Sequence, residues 1–162
     1  MEKEFIFIDM DGTLCNFEKR LYEIYPQCEG MKFDDREVFV DKVQAMVGFW
    51  KSLPPMEGAI DAFHKLDEKF DPYILSAPSW DDPHCYSEKR EWMDMHLPVI
   101  GEKKLILTHN KGMFRGRALI DDRTKYHVDK FTGEHILFGS PRFPNWKAVL
   151  EYLMKNTYNS LL

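Results

Sequence analysis

The chain has 162 residues, 44% of them apolar and 30% charged, which suits one globular domain with a sizeable core. Its 22 basic and 27 acidic residues give a net charge of −5 with no long basic run, which argues against a nucleic-acid polymer as partner. No apolar stretch approaches the roughly 18 residues that a membrane span needs.

The N-terminal Met1-Glu2-Lys3-Glu4 leads straight into an apolar run and shows no signal-peptide pattern. Cys15, Cys28 and Cys85 are odd in number and form no Cys-x-x-Cys pair. Reduced thiols in a cytoplasmic protein are therefore expected, rather than disulfides or a zinc site. Phe5-Ile6-Phe7-Ile8 is a short apolar run closed by Asp9-Met10-Asp11-Gly12, the pattern of a strand buried on both faces of a parallel sheet. Ligands of open α/β sheets bind beyond the carboxyl ends of the strands, which is where Asp9 and Asp11 would stand. A strand ending in an ordinary polar turn is the alternative.

Residues 15–53 change character and read as an insertion that forms a small helical cap, with 1–14 and 54–162 as the catalytic core. Within the insertion, Asp34 or Asp35 is expected to cap a helix that runs to about Phe49 and holds Val38, Val43, Met46 and Val47. Pro54-Pro55 breaks the chain. Ile60, Phe63 and Leu66 then share one face of a helix over 57–69. Tyr73-Ile74-Leu75-Ser76 is a second strand, and a helix over about 87–96 follows, with Trp92 and Met95 spaced for packing. Leu105-Ile106-Leu107 is a third strand, followed by a loop that carries Lys111. Ala118-Leu119-Ile120 is a fourth, ended by Asp121-Asp122. His135 to Gly139 is a fifth, and the last helix begins at 144–146. The tail from Asn156 is expected to fray.

Successive strand ends thus deliver Asp-x-Asp, Ser, Lys and Asp-Asp to one edge of a parallel sheet. A carboxylate can attack phosphorus, and a second can move the protons that turnover needs. Acids from two strands can hold Mg²⁺, while Ser76, Lys111 and backbone N–H groups can hold phosphoryl oxygens. Each residue alone has a plainer reading: Ser76 as a turn cap, Lys111 as a solvent-facing lysine, Asp121-Asp122 as a turn. His84-Cys85 is a weak metal candidate. The aromatic residues of 17–50 could stack a base or form the insertion's own core, and Phe17 lies nearest the acids.

Asp9-Met10-Asp11-Gly12-Thr13-Leu14, Leu75-Ser76-Ala77-Pro78, Lys111 and Ile120-Asp121-Asp122 resemble the four motifs of the haloacid dehalogenase superfamily of phosphatases. Asn16-Phe17 after the first motif, Leu105 to Thr108 before Asn110-Lys111, and Asp122-Arg123 are similar to the 5'(3')-deoxyribonucleotidases. The resemblance implies a Rossmann-like three-layer sandwich with a mainly parallel five-stranded sheet. It implies Asp9 as the phosphorylated nucleophile and Asp11 as acid and base. It also implies Mg²⁺ held by Asp9, the Asp11 carbonyl and Asp121 with support from Asp122. Ser76, Lys111 and the N–H groups of Met10, Asp11 and Ala77 would bind the phosphoryl group. The expected partner is a small phosphate ester, a nucleoside monophosphate; a homodimer is compatible with the reading. Ser76-Ala77-Pro78 departs from the family's Thr-Ser-Pro, and Phe49-Trp50 only loosely echoes its base-binding aromatics. Another phosphorylated metabolite, such as a sugar phosphate, remains an alternative substrate. A receiver-like phospho-accepting module is a different class; such modules place the acceptor on a middle strand and lack an insertion after the first.

Overall fold

The computed structural model describes residues 2–155. Five strands form one wholly parallel sheet in the order β3-β2-β1-β4-β5. They are β1 (Phe5–Ile8), β2 (Asp71–Ser76), β3 (Leu105–Leu107), β4 (Arg115–Asp121) and β5 (Thr132–Leu137). β1 is central, and its side chains alternate between two buried faces. Ile6 and Ile8 join Ile74, Ala118 and Ile120 in one apolar cluster, whereas Phe7 joins Leu75 and Leu119 in another. Burial on both sides is why the run is unbroken in hydrophobicity rather than alternating.

The first cluster is completed by residues from the five α-helices among the described residues. These are α1 (Phe17–Ile24), α2 (Phe33–Gln44), α3 (Ala59–Lys69), α4 (Pro83–His96) and α5 (Trp146–Lys155). Ala59, Ala62, Phe63 and Leu66 give α3 its inward stripe, and Trp146, Val149 and Leu153 give α5 the same. The opposite face of the sheet is covered by Phe114, Val128 and Phe131 from the segments flanking β4.

The insertion departs most from expectation. α1 is a helix that the residue pattern did not announce; Asn16 caps it, its side chain accepting from the Lys19 N–H at 2.9 Å. α2 starts at Phe33, one residue before Asp34, with Lys32 at its N-cap. Asp34 and Asp35 occupy the first turn, where their charge suits the helix dipole. The helix ends at Gln44, so Met46 and Val47 lie beyond it, and both are exposed, as is Val38. Gly48, at φ +89°, redirects the chain so that Phe49 and Trp50 turn into the core. α4 begins at Pro83 rather than 87, because Asp82 caps it by accepting from the His84 N–H at 2.9 Å and Pro83 suits its first turn. In it Trp92 and Met93 are buried, but Met95 faces solvent. The expected fraying lies outside the described residues.

Phe63 is fully buried between α3 and the sheet. Phe63→Ala is expected to lower stability by about 3–5 kcal/mol. Urea unfolding checks this; a loss too small to move the midpoint would show that this face of α3 does not carry the core.

Candidate active site

β1 and β4 are neighbours, with Ile8 opposite Ile120. One residue further along, each strand presents an acid. The Asp9 N–H donates to the Ile120 carbonyl at 2.8 Å, so the ladder persists to the point where Asp9 and Asp121 emerge side by side. One carboxylate oxygen from each of Asp9, Asp121 and Asp122 lies within 4.8 Å of the others. Three negative groups at that distance repel strongly in a poorly hydrated place. Lys111 answers two of them, donating from Nζ to Asp9 Oδ1 at 2.6 Å and to Asp121 Oδ2 at 2.5 Å. It rises from a one-turn 3₁₀ helix (Lys111–Met113) whose first N–H donates to the Tyr126 carbonyl at 2.9 Å. Burial works against the Lys111 charge, but Asp9 and Asp121 outweigh it and raise its pKa.

Lys111 and the half-exposed Arg123, whose Nε lies 3.7 Å from Asp122 Oδ2, do not balance three acids. Burial, reinforced by Asp121, raises the pKa of Asp9 in spite of Lys111. Burial and then the neighbouring Asp9 push Asp122 up to about 7. Asp122 Oδ1 is buried and has no hydrogen-bond partner among the described residues. A cluster of hard oxygen donors with surplus negative charge and an unpartnered buried oxygen fits a small divalent ion such as Mg²⁺. Gly12 makes room for the Asp122 carboxylate. Its φ is +83°, and a Cβ there would lie 2.2 Å from Asp122 Oδ2, so only glycine fits at this turn.

On the other side of β1, Ile74 of β2 lies opposite Ile8, and Ser76 follows two residues later. Ser76 is buried and its Oγ has no partner among the described residues. The chain after β1 folds back so that the N–H groups of Leu14 and Cys15 donate to the Met10 carbonyl at 2.9 and 2.8 Å. The Met10, Asp11 and Ala77 N–H groups donate to no backbone carbonyl among the described residues. Backbone donors left free where strands end can receive an oxyanion.

Asp11 has a partner that sequence reasoning missed. Lys89 of α4 donates from Nζ to Asp11 Oδ2 at 2.5 Å and is 1% exposed. Only the fold reveals it: Cys85, Glu88, Lys89, Trp92 and Met93 share the buried face of α4, and two of them are charged. Phe17, by contrast, is half-buried, its ring 5.2 Å from Phe49 and 6.0 Å from Trp50, both of them core residues. His84-Cys85 joins no metal-binding cluster among the described residues; the Cys85 sulfur accepts from the Ser79 N–H at 3.3 Å.

A family profile described as "5' nucleotidase, deoxy (Pyrimidine), cytosolic type C protein" matches residues 39–149. A protein of Vibrio phage KVP40 named for 5'(3')-deoxyribonucleotidase activity is 37% identical over 94% of this chain and 85% of its own length. The human protein named "5'(3')-deoxyribonucleotidase, cytosolic type" is 30% identical over 82% of this chain and 78% of its own. Among solved structures, the HAD-hydrolase YfnB from Bacillus subtilis, crystallised with magnesium, superposes with a TM-score of 0.59 at 10% identity. That match covers 94% of this chain and 99% of YfnB, and it shows the fold.

A carboxyl whose folded pKa stands above its unfolded value, about 3.9, takes up its proton more readily folded than unfolded. For Asp122 that contribution to stability is whole below the unfolded value and is lost as pH rises through about 7. Metal-free protein is therefore expected to weaken across that window, and Mg²⁺ to restore most stability at its upper end, because ions bind the deprotonated form. Melting curves in EDTA and in Mg²⁺ at a series of pH values check this. A Mg²⁺ increment that does not grow with pH would contradict the acid cluster as the binding place.

Proposed function

The chain belongs to the 5'(3')-deoxyribonucleotidase family, whose members are phosphoric monoester hydrolases, and we propose that it releases phosphate from deoxyribonucleoside 5'- or 3'-monophosphates with Asp9 as nucleophile. The observation that carries the residue assignment is the meeting of Asp9, Lys111 and Asp121 at the ends of neighbouring central strands. The Ser76 hydroxyl, without a hydrogen-bond partner among the described residues, stands at the end of the strand on the other side of β1.

The substrate's phosphoryl oxygens are received by Ser76 Oγ, by Lys111 and by the N–H groups of Met10, Asp11 and Ala77. An Asp9 carboxylate oxygen attacks phosphorus. The bond from phosphorus to the ester oxygen breaks, and that oxygen leaves with its electron pair and takes a proton from the Asp11 carboxyl. Water then attacks the phosphorus of the aspartyl-phosphate, giving a proton to Asp11, and the Asp9 carboxylate is released with inorganic phosphate. Mg²⁺ would be held by Asp9, the Asp11 backbone carbonyl, Asp121 and Asp122, and when bound it neutralises charge on the phosphoryl oxygens. Charge spreads over those oxygens in the transition state, so fixed donors count for more than groups that must reorganise.

The insertion over 15–53 serves as the cap in this reading, with Phe17 at its junction as the contact for the leaving group. A deoxynucleotide is favoured over a sugar phosphate by the names of the relatives. A cytoplasmic setting is supported by the human relative's designation as cytosolic. Among the described residues no helix is long and apolar enough to cross a membrane.

Asp9→Asn is expected to abolish phosphate release while the fold persists; near-normal turnover would reject the nucleophile. Asp11→Asn is expected to slow the reaction by roughly 10²–10⁴-fold, the scale of acid–base help. A phosphate-release screen with Mg²⁺ over deoxynucleotides, ribonucleotides and sugar phosphates checks the substrate class. A sugar phosphate as the best substrate would overturn the nucleotide reading and leave the chemistry standing.

A further inference from the structure

Lys89 has no part in the reaction just described, yet it is among the largest fully buried side chains. An ammonium is almost never buried to this degree without a partner that answers its charge. Its surroundings identify that partner. Cys15 and Cys85 lie nearby, but burial raises the pKa of both thiols, that of Cys85 to about 11, so both are neutral. The Trp50 ring offers a π face, its centroid 5.0 Å from Nζ. The carboxylate that answers Lys89 is Asp11, through Oδ2.

The other oxygen, Asp11 Oδ1, is buried and has no hydrogen-bond partner among the described residues. A carboxylate held at one oxygen presents the other in a fixed direction. The residue before Lys89 makes this arrangement rigid. Glu88 accepts from the Gly48 N–H at 2.5 Å and from the Trp50 N–H at 3.0 Å, fastening the returning end of the insertion to α4. Trp50, placed in this way, roofs Lys89. Trp50 Nε1 donates to Asp82 Oδ2 at 3.0 Å, at the start of the same helix.

We propose that Lys89 is a positioning residue for acid–base catalysis: it clamps Asp11 Oδ2 so that Oδ1 alone faces the leaving-group oxygen and then the attacking water. The proposal rests on the assignment of Asp11 as acid and base. Clamping acts on the step in which the ester oxygen departs and takes a proton. Its loss should therefore be felt most where the leaving group is a poor one. A nucleoside leaves as an alkoxide in need of a proton, whereas the phenol of p-nitrophenyl phosphate is acidic enough to leave without one.

The test measures kcat/KM, which reports the steps through departure of the leaving group, for wild type, Lys89→Met, Asp11→Asn and the double variant, with a deoxyribonucleoside monophosphate and with p-nitrophenyl phosphate. Lys89→Met is expected to lose roughly 10²-fold on the nucleotide, the low end of acid–base help, and much less on the aryl ester. Adding it to Asp11→Asn is expected to cost nothing further on the nucleotide, because two residues acting through one group are non-additive. Lys89→Gln, which keeps a donor but no charge, is expected to recover part of the loss and serves also if the methionine variant does not fold. Equal losses on both substrates, or losses that add to those of Asp11→Asn, would overturn the proposal and make Lys89 a phosphate-binding or purely structural cation. If Asp11→Asn itself shows no preference between the two leaving groups, the assignment of Asp11 fails instead. If Asp11→Asn discriminates and the Lys89 variants do not, the clamp alone is rejected.

Discussion

Mutual repulsion among three carboxylates is the constraint around which the molecule is arranged. Asp9, Asp121 and Asp122 are brought within a few ångströms by the pairing of β1 with β4. Nothing about three acids favours that proximity; the apolar strands behind them impose it. Lys111, 2% exposed, relieves it by bonding Asp9 and Asp121 at once. A buried ion pair of this kind adds little to stability, since desolvation consumes most of what attraction returns. Its value is that the cluster keeps a negative surplus and a fixed shape, which a divalent cation can satisfy.

The surrounding fold does two things for this corner. The central place of β1 puts Asp9 between β2 and β4, with Ser76 at the end of one neighbour and the acid cluster on the Asp121 side. Gly12, which alone tolerates the turn against Asp122, lets the chain leave the strand without covering either. α4 supplies the second support. Its successive residues Glu88 and Lys89 reach in different directions, one to backbone N–H groups of the insertion and the other to Asp11. The insertion, the helix and the second aspartate are thereby held as one unit, with Trp50 and Leu53 packed in the same core cluster as the sheet.

The strands were legible because burial on both faces leaves no room for polar interruption, and their ends were legible because acids and turn residues stop the run. β1 and β3 have the bounds that the residues suggest, and β2, β4 and β5 differ by a few residues at their ends. The insertion was less legible. α1 is only eight residues long and contributes one fully buried residue, Leu21, so its pattern is hard to pick out among the aromatic and charged residues around it. In α2 the apolar spacing suggested a longer helix, but a turn at Gly48 ended the pattern and sent Phe49 and Trp50 inward. Tertiary packing decided what local preference left open.

By itself the amino-acid order determined which groups stand at the ends of parallel strands, since that follows from short-range pattern: Asp9 and Asp11, Ser76, Lys111, Asp121 and Asp122. It could not determine which of them touch. Lys89 lies 78 residues from Asp11 in sequence, and Lys111 lies 102 from Asp9. Whether a charged residue on a helix faces water or a carboxylate depends on how that helix is rotated against the sheet. That rotation is set by the packing of Trp92, Met93 and Cys85 against residues far away in the chain, and only the folded molecule contains it.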